Sequence, residues 1–329
     1  MRVLACPDTL KGVLAARDAA AVLAAGLARA GVDAEQVPLA DGGEGTGDAL
    51  HAALGGEWRR ARVSDPFGRQ VEARFLLLSD GRAVVESAEA IGLWRLEPDE
   101  RDPMRATSRG LGELIHAAAE AGAREIIVTL GGSATVDGGS GMREVVETLP
   151  VPVTVAADVR NPLLGERGAA RVFGPQKGAT PEQVEELERR LAAMEELRPV
   201  ADVPGAGAAG GLGAALAALG ARVTPGIELV LDAVRFSDRL AGAAAAITGE
   251  GQVDRSSPEG KVPAGVAAAC AGAGVACVVF GGRVDPGAAA PLYELGASAV
   301  FRLSGQPERS KDDLSDLGEA VGRLLQKIA

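Results

Sequence analysis

Five glycine-rich segments contain most of the residues in this chain that could do chemistry. Each combines bare backbone with carboxylates, a lysine or further glycines, and they span residues 41–46, 131–141, 174–178, 205–213 and 249–254. Glycine costs backbone entropy on folding but lets a ligand approach main-chain amides closely. Because this cost recurs beside ionisable side chains, the segments indicate a binding site for a polyanion.

Lysine is scarce, which makes its positions informative. Of the 34 lysines and arginines only five are lysine, and three of these adjoin glycine, namely Lys11, Lys177 and Lys261. The lysine ammonium is a compact charge suited to phosphate or carboxylate. We expect these three residues to face such a group; the alternative is three ordinary loop lysines in a glycine-rich chain.

The carboxylates of the same segments would repel an anion. At an effective dielectric constant near 20, each close pair of like charges costs about 4 kcal/mol. A phosphate site among Asp41, Glu44, Asp137, Glu250 and Asp254 therefore needs Mg²⁺ and lysines to invert the local field. Phosphoryl transfer requires such a metal, cationic groups and an orienting carboxylate. Any single aspartate could instead cap a helix or form an Asx-turn.

Other site motifs are weak. Gly260 and Lys261 are followed by Val262 where a P-loop needs serine or threonine. Residues 205–210 match G-x-G-x-x-G, the pattern of a dinucleotide site. Such a site requires a strand just before the motif, and the prolines at 199 and 204 disfavour one. A nicotinamide oxidoreductase is therefore a minor alternative. The two histidines lie in alanine-rich helical stretches, which leaves little material for a serine–histidine triad or a zinc site.

Composition narrows the class of protein. A net charge of −11 without a basic stretch excludes nucleic acid and anionic membranes as partners. The uncharged stretch 262–282 is broken by glycines, so we expect no membrane span. Three cysteines without framework spacing favour a reducing cytoplasm. With 47% hydrophobic residues, the chain fits an α/β enzyme acting on a small molecule.

The pattern of apolar residues predicts two domains. Strands expected at 3–6, 35–39, 245–248, 275–280 and 297–303 form one five-stranded, flavodoxin-like parallel sheet. Between them, a hairpin at 71–78 and 82–87, strands at 125–130 and 151–156, and a capped helix from Thr180 indicate a mixed α/β insertion. The predicted domains are therefore 1–60 with 235–329, and the inserted 61–234, with the active site in the cleft between them.

Seven motifs follow one another in an order typical of one family. They are P-D-T-L-K-G at 7–12, A-D-G-G-E-G-T at 40–46, G-G-S-A-T-V-D-G-G-S-G at 131–141, D-V-R-N-P-L at 158–163, F-G-P-Q-K-G-A at 173–179, P-G-A-G-A-A-G-G-L-G at 204–213, and I-T-G-E-G at 247–251 with Asp254 and Lys261. Over nearly its whole length the chain resembles the bacterial type I glycerate kinases. It departs from them at Leu10, Val13 and Ser257, and at Val136, where asparagine is common.

The resemblance implies ATP- and Mg²⁺-dependent phosphorylation of D-glycerate, most often at the 2-hydroxyl, giving 2-phosphoglycerate. It implies catalytic roles for Asp137, Asp158 and Lys261, the two aspartates sharing acceptor activation and metal ligation in an open order. The residues implied to bind substrate or phosphate are Asp8, Lys11, Asp41, Gly42, Gly43, Glu44, Gly131, Gly132, Ser133, Lys177, Gly205, Gly207, Gly210, Glu250 and Asp254. A catalytically silent glycerate-binding protein is the main alternative. The oligomeric state stays open, with a homodimer as one option.

Overall fold

A computed structural model describes residues 1–255 and 257–328, without the side chain of residue 259. The chain forms two compact units. The first contains Met1–Asp41, Asp48–Leu54 and Ile227–Ala329, and the second contains Gly42–Gly47 and Gly55–Gly226.

The strands are β1 (Arg2–Ala5), β2 (Asp33–Gln36), β3 (Glu57–Ser64), β4 (Gln70–Leu77), β5 (Arg82–Glu86), β6 (Glu125–Thr129), β7 (Val153–Ala157), β8 (Arg222–Pro225), β9 (Ala245–Val253), β10 (Ala276–Val284) and β11 (Ala299–Arg302). The α-helices are α1 (Ala16–Arg29), α2 (Thr46–Leu54), α3 (Ser87–Ile91), α4 (Arg109–Glu120), α5 (Ser140–Arg143), α6 (Ala169–Phe173), α7 (Pro181–Ala192), α8 (Ala208–Ala218), α9 (Gly226–Ala233), α10 (Phe236–Leu240), α11 (Val262–Ala273), α12 (Ala289–Glu294) and α13 (Ser310–Ile328).

The sheet of the first unit has the strand order β11-β10-β9-β1-β2, and all its pairs are parallel. Taken in chain order this is the arrangement 2-1-3-4-5, which confirms the predicted flavodoxin-like sheet. In this topology the connections reverse direction between β1 and β9, where open α/β sheets bind ligands beyond the carboxyl ends of their strands. The buried side chains of Val3, Ile247 and Phe280 pack with those of α1 and α13 to form the core.

Strand β9 extends further than the sequence suggested, because it continues through the glycine-rich segment to Val253. Residues 249 and 250 pair with Phe280 and Gly281 of β10. A side chain at position 249 would meet the ring and the carbonyl oxygen of Phe280, the latter at 2.2 Å. Glycine therefore keeps the strand continuous past this ring and places Glu250 on regular structure.

The sheet of the second unit has the order β3-β4-β5-β6-β7-β8. The pairs β3–β4 and β4–β5 are antiparallel, and β5 to β8 are parallel. The predicted hairpin and the strands near 125 and 153 are present, whereas the edge strands β3 and β8 were not anticipated.

The N-terminus of α7 is held by the predicted capping box. The Thr180 hydroxyl accepts a hydrogen bond from the Gln183 amide, and the Gln183 side chain accepts one from the Thr180 amide. The side chains of Val184, Leu187 and Leu191 on this helix are buried. Over the described part of the chain, every helix is too short or too polar to cross a membrane.

Candidate active site

A pocket of about 430 Å³ lies at the carboxyl ends of β1, β9 and β10 in the first unit. It brings together all the ionisable residues that the sequence singled out in this unit, namely Asp8, Lys11, Asp41, Glu250, Asp254 and Lys261. They come from segments more than two hundred residues apart, so only the parallel pairing of β1 with β9 could assemble them.

Lys11 stands at the tip of a tight turn that follows β1. The amide of Leu10 donates to the Leu14 carbonyl and the amide of Leu14 donates back, at 2.9 Å each. Both leucines are buried, whereas Lys11 is exposed and Gly12 has a left-handed φ of 73°. The turn is thus anchored by two apolar side chains and presents the ammonium group to the pocket.

Lys261 lies between two carboxylates. Its Nζ is 3.4 Å from Oε2 of Glu250 and 3.5 Å from Oδ1 of Asp254. The buried hydroxyl of Ser257 links the same two residues, because it donates to Oε1 of Glu250 at 2.6 Å and accepts from the Asp254 amide at 3.0 Å. Glu250, Asp254 and Ser257 therefore form one hydrogen-bonded group around Lys261, whose side chain is 28% exposed.

These contacts shift the ionisation of the group. Burial raises the pKa of Glu250, although hydrogen bonding by Ser257 and the charge of Lys261 oppose the shift. Burial alone would lower the pKa of Lys261, but attraction by Glu250 and Asp254 outweighs it and raises that pKa. Lys261 is accordingly a permanent cation facing the pocket.

Asp8 is the most perturbed carboxyl of the pocket. Its Oδ1 accepts a hydrogen bond from the Thr9 amide at 2.6 Å. Burial, followed by repulsion from Asp41 and Glu250, raises the pKa of Asp8 to about 8. The surroundings of Asp8 therefore disfavour its charged form, and a bound cation would favour it.

In the second unit, Asp137 has most of its hydrogen-bonding capacity engaged. Its Oδ2 accepts from the amide and hydroxyl of Ser108 at 2.8 and 2.7 Å and from the Gly141 amide at 3.2 Å, and its Oδ1 accepts from the Gly139 amide at 3.1 Å. These bonds tie the starts of α4 and α5 together. The geometry favours an anchoring role for Asp137.

Asp158 has a different setting, because it is exposed and directly follows β7 at the carboxyl end of the strand. It also takes part in an interaction with another residue. The two aspartates that the resemblance pairs in function thus differ in access to solvent and ligands.

Lys177 is 3% exposed, so it sits inside the second unit. Its Nζ donates to the Ser133 hydroxyl at 3.1 Å and to the Thr135 carbonyl at 2.8 Å. Burial lowers the pKa of Lys177 to about 7, against the opposing attraction of Asp137. Lys177 therefore holds residues 133 and 135 of the 131–141 segment in place from the buried side of that segment.

The segments at 41–46 and 131–141 meet within the second unit. Gly132, which has a left-handed φ of 71°, lies near the Glu44 carboxylate, and a side chain at Gly131 would lie 2.8 Å from Cα of Gly43. Gly42 is similarly confined, since its Cβ would lie 2.7 Å from Cα of Gly226. Glycine at these positions permits two backbones to touch.

The buried carboxylate of Glu86, at the end of β5, completes the 41–46 segment. Its Oε1 accepts from the amides of Gly45 and Gly47 at 2.9 and 3.2 Å. These amides, at the start of α2, would otherwise attract an anion. Glu86 occupies that position, so the segment does not use these amides to cradle phosphate.

The segment at 205–213 packs in the interior. Gly205, Gly207 and Gly210 are all buried. A side chain at Gly207 would lie 2.2 Å from the Pro162 carbonyl oxygen, and one at Gly210 would lie 2.1 Å from the Thr135 carbonyl oxygen. The segment follows a 3₁₀ helix, Glu195–Val200, and not a strand. Its glycines serve close packing, and the context of a dinucleotide fingerprint is absent from this described region.

Sequence reasoning missed Ser257 and Glu86. Ser257 appeared only as a departure from the family pattern, although a hydroxyl lying between Glu250 and Lys261 was a usable signal. Glu86 ends an apolar strand and gave no local signal, because its partners lie 39 and 41 residues away.

The protein is an α/β protein with a pocket of charged residues at the switch point of a parallel sheet, the place where open α/β folds bind ligands. A family model described as "Glycerate kinase family" matches residues 3–148 and 145–329. The Escherichia coli (strain K12) Glycerate 2-kinase is 41% identical over 309 residues, which cover 81% of each chain. The Halalkalibacterium halodurans Glycerate kinase is 38% identical and covers 92% of this chain and 90% of its own.

A solved structure agrees with these sequence relatives. The crystal structure of a candidate glycerate kinase 2 from Salmonella typhimurium LT2 superposes with a TM-score of 0.86 at 35% identity, covering 99% of this chain and 98% of the other. The chain belongs to the glycerate kinase family. The resemblance drawn from the seven motifs is thereby confirmed, and the protein is a phosphotransferase enzyme of that family.

Proposed function

We propose that this enzyme transfers the γ-phosphoryl group of ATP to the 2-hydroxyl of D-glycerate. Family membership supports glycerate as the acceptor, and the name of the Escherichia coli relative, Glycerate 2-kinase, supports the 2-position. The observation that carries the proposal is the meeting of four carboxylates with Lys11 and Lys261 in one pocket at the sheet's switch point. Carboxylates and lysines are the groups that phosphoryl transfer needs.

In this reaction an O–P bond forms to the hydroxyl oxygen of glycerate while the bond between the γ-phosphorus and the bridging oxygen breaks. ADP leaves with that oxygen, and the hydroxyl proton passes to a carboxylate. Lys261 is proposed to stabilise the charge on the transferring group, since its two acidic neighbours keep it protonated. Lys11 is proposed to bind phosphate or the substrate carboxylate from its exposed turn.

The residues of the pocket fit Mg²⁺. In the described part of the chain, no three acidic, histidine or cysteine side chains form a complete metal cage. Mg²⁺ does not require one, because it usually binds one or two carboxylates and completes its shell with water and phosphate oxygens. Asp8 and Asp41 would hold the ion, which would supply positive charge to offset the negative charge of the phosphate groups. Their mutual repulsion supports this assignment over Asp137.

Of the two aspartates implied to activate the acceptor, we propose Asp158 for that role. Its side chain is exposed at a strand end, whereas Asp137 accepts four close hydrogen bonds from its own unit. A general base must be able to approach the proton that it takes. Asp137 and Lys177 then support the 131–141 segment without touching the reacting atoms.

A coupled assay of ADP release with D-glycerate, ATP and Mg²⁺ tests the proposal, and NMR of the product distinguishes 2- from 3-phosphoglycerate. We expect ADP release that depends on D-glycerate. Glycerate binding without ADP release would favour the silent binding protein. Oxidation of NADH in place of ADP release would favour the oxidoreductase. The cytoplasmic location and the homodimer remain predictions.

A further inference from the structure

The segment 42–44 lies across the carboxyl ends of two strands of the second unit's sheet. A Cβ on Gly42 would lie 3.2 Å from Cβ of Ala156, near the end of β7. A Cβ on Gly131, just after β6, would lie 2.8 Å from Cα of Gly43. Because β6 and β7 are parallel neighbours, the segment places Glu44 at the edge of the sheet where these two strands end.

The carboxylate of Glu44 is exposed at this edge and lies near Gly132. Within residues 1–255 and 257–328, no hydrogen bond or ion pair engages it. Its oxygens are therefore available to accept hydrogen bonds from a ligand. Whether Glu44 can act on a ligand depends on how firmly the backbone around it is held.

Glu86 fixes the backbone that follows Glu44. Its side chain is buried, and Oε1 accepts from the amides of Gly45 and Gly47 at 2.9 and 3.2 Å. Hydrogen bonds from amides to a carboxylate are stronger than those to a neutral oxygen. The proposed reaction gives Glu86 no contact with a substrate, yet these bonds set the position of residue 44.

The surface next to Glu44 is also fixed. The Leu93 amide donates to the Gly132 carbonyl at 2.8 Å, and the Ala134 amide donates to the Ile91 carbonyl at 2.8 Å. Residues 132–134 are thereby attached to the end of α3 and to the residues that follow it. A preformed surface lowers the entropy that is lost when a ligand binds.

Asp158, the proposed base, is exposed at the same edge, because it directly follows β7. Neighbouring strands lie about 4.8 Å apart, so one small acceptor can contact both Glu44 and Asp158. Two carboxylates repel the carboxylate of glycerate but accept hydrogen bonds from hydroxyl groups. This edge therefore selects the hydroxyl end of the substrate.

The two hydroxyls of D-glycerate differ in reactivity. The 3-hydroxyl is primary and less hindered than the secondary 2-hydroxyl. An enzyme that phosphorylates the 2-hydroxyl must therefore hold the 3-hydroxyl away from the phosphoryl donor. Since Asp158 is assigned to the reacting hydroxyl, Glu44 is the carboxylate left for the other one.

We propose that Glu44 accepts a hydrogen bond from the 3-hydroxyl of D-glycerate and thereby directs phosphorylation to the 2-hydroxyl, and that Glu86 is the positioning residue that holds Glu44 there. The inference rests on the proposed function and adds to it the residue that decides which hydroxyl reacts. Glu86 acts only through the backbone of residues 45 and 47.

Initial-rate kinetics and phosphorus NMR of the product test the inference. Glu44→Ala removes the acceptor at an exposed position, and Glu86→Ala removes the group that fixes it, whereas Glu86→Gln keeps an oxygen for the two amides. Glu147→Ala is the matched control, since Glu147 is an exposed carboxylate of the same unit that precedes β7. Thermal unfolding checks that each variant is folded. If Glu86→Ala is not, Glu86→Asp replaces it, because its shorter side chain withdraws the acceptor.

We expect Glu44→Ala and Glu86→Ala each to raise KM for D-glycerate about tenfold and to yield 3-phosphoglycerate beside the 2-isomer, with KM for ATP within about twofold of wild type. The double variant should show no further rise, because Glu86 acts through Glu44. D-lactate, which is glycerate without the 3-hydroxyl, should inhibit wild type and Glu44→Ala equally. Glu86→Gln and Glu147→Ala should match wild type.

Three other outcomes are informative. An unchanged KM and 2-phosphoglycerate as the single product of Glu44→Ala, alongside a wild type that makes 2-phosphoglycerate, would overturn the inference alone. A change in Glu44→Ala that a folded Glu86 variant does not share would overturn the positioning role of Glu86. A wild type that releases no ADP, or that makes only 3-phosphoglycerate, would instead reject the proposed function.

Discussion

Lys261 and Lys177 both adjoin glycine in the sequence, yet the two units place them in opposite environments. Lys261 lies between Glu250 and Asp254 and is 28% exposed to the pocket. Lys177 is buried and donates to two neutral oxygens, those of Ser133 and Thr135. The pKa of Lys261 is raised by its acidic partners although burial opposes this, whereas burial lowers the pKa of Lys177 to about 7.

The scarcity of lysine in this chain therefore indicates which lysines matter, but it does not indicate what each of them does. A lysine paired with carboxylates stays charged and can act on a ligand. A lysine that donates to a hydroxyl and a carbonyl oxygen instead stabilises the local backbone conformation. Substitution of each lysine by methionine tests whether the two lysines differ in this way.

The largest effect is expected for Lys261→Met. Removing this cation leaves Glu250 and Asp254 without their shared partner and takes a positive charge from the transferring phosphate. We expect kcat/KM to fall about a thousandfold, or about 4 kcal/mol, in the ADP-release assay. Lys311→Met, on an exposed lysine of α13 outside the pocket, should retain wild-type activity. A Lys261→Met loss smaller than tenfold would contradict the role given to Lys261.

Lys177→Met should act on stability and its dependence on pH. The native pKa near 7 lies below that of a lysine in the unfolded chain, so between about pH 7 and 10 the unfolded state binds more protons. The unfolding free energy of the second unit should therefore rise with pH in this window, by roughly 2–3 kcal/mol, and the variant should lack the rise.

Urea unfolding between pH 7 and 10 measures this dependence. Both tryptophans, Trp58 and Trp94, belong to the second unit, so their fluorescence reports its unfolding alone. The Lys311→Met variant should keep the wild-type slope. Equal slopes in wild type and Lys177→Met would show that Lys177 is charged throughout.

The smallest effect is expected at Ser257. Ser257→Ala removes the hydrogen bond to Glu250 and the acceptor of the Asp254 amide, which should lower kcat/KM about tenfold, or about 1.4 kcal/mol. The lost donor should also move the acidic limb of the pH–rate profile to higher pH, because that bond lowers the pKa of Glu250. Ser257→Thr keeps the hydroxyl and should restore the profile. If the pH–rate profile of Ser257→Ala matched that of the wild type, Ser257 would have no role in positioning Glu250.

The central sheet of the first unit was predictable because β1, β9 and β10 each contain a run of buried apolar residues, and because helices with apolar residues at helical spacing separate its strands. The missed strands β3 and β8 are the two edges of the other sheet. β3 carries Arg59 and Arg60, which pair with Glu57 and Glu72 at the surface. Edge strands tolerate such charge, so their sequence lacks a hydrophobic signal.

For the site, the ionisable residues could be identified from the sequence, but which of them face the pocket and which are held inside a unit could not. Glycine next to a charged residue looks the same whether it admits a ligand or another stretch of backbone. At Gly131 and Gly210 the glycine makes room for another stretch of backbone. Which of the two it admits depends on residues distant in sequence, here Gly43 and Thr135. The anchoring of Asp137 depends likewise on Ser108, 29 residues earlier.

The carboxylate that caps α2 has a consequence for folding order. Glu86 lies on β5, about forty residues after the amides of Gly45 and Gly47 that it accepts from. During synthesis the beginning of this helix is left without its acceptor until the hairpin of β4 and β5 has emerged and paired. Closing a loop of that length costs entropy before the contact stabilises anything. The amides at the start of α2 therefore gain their acceptor late, after β5 has formed.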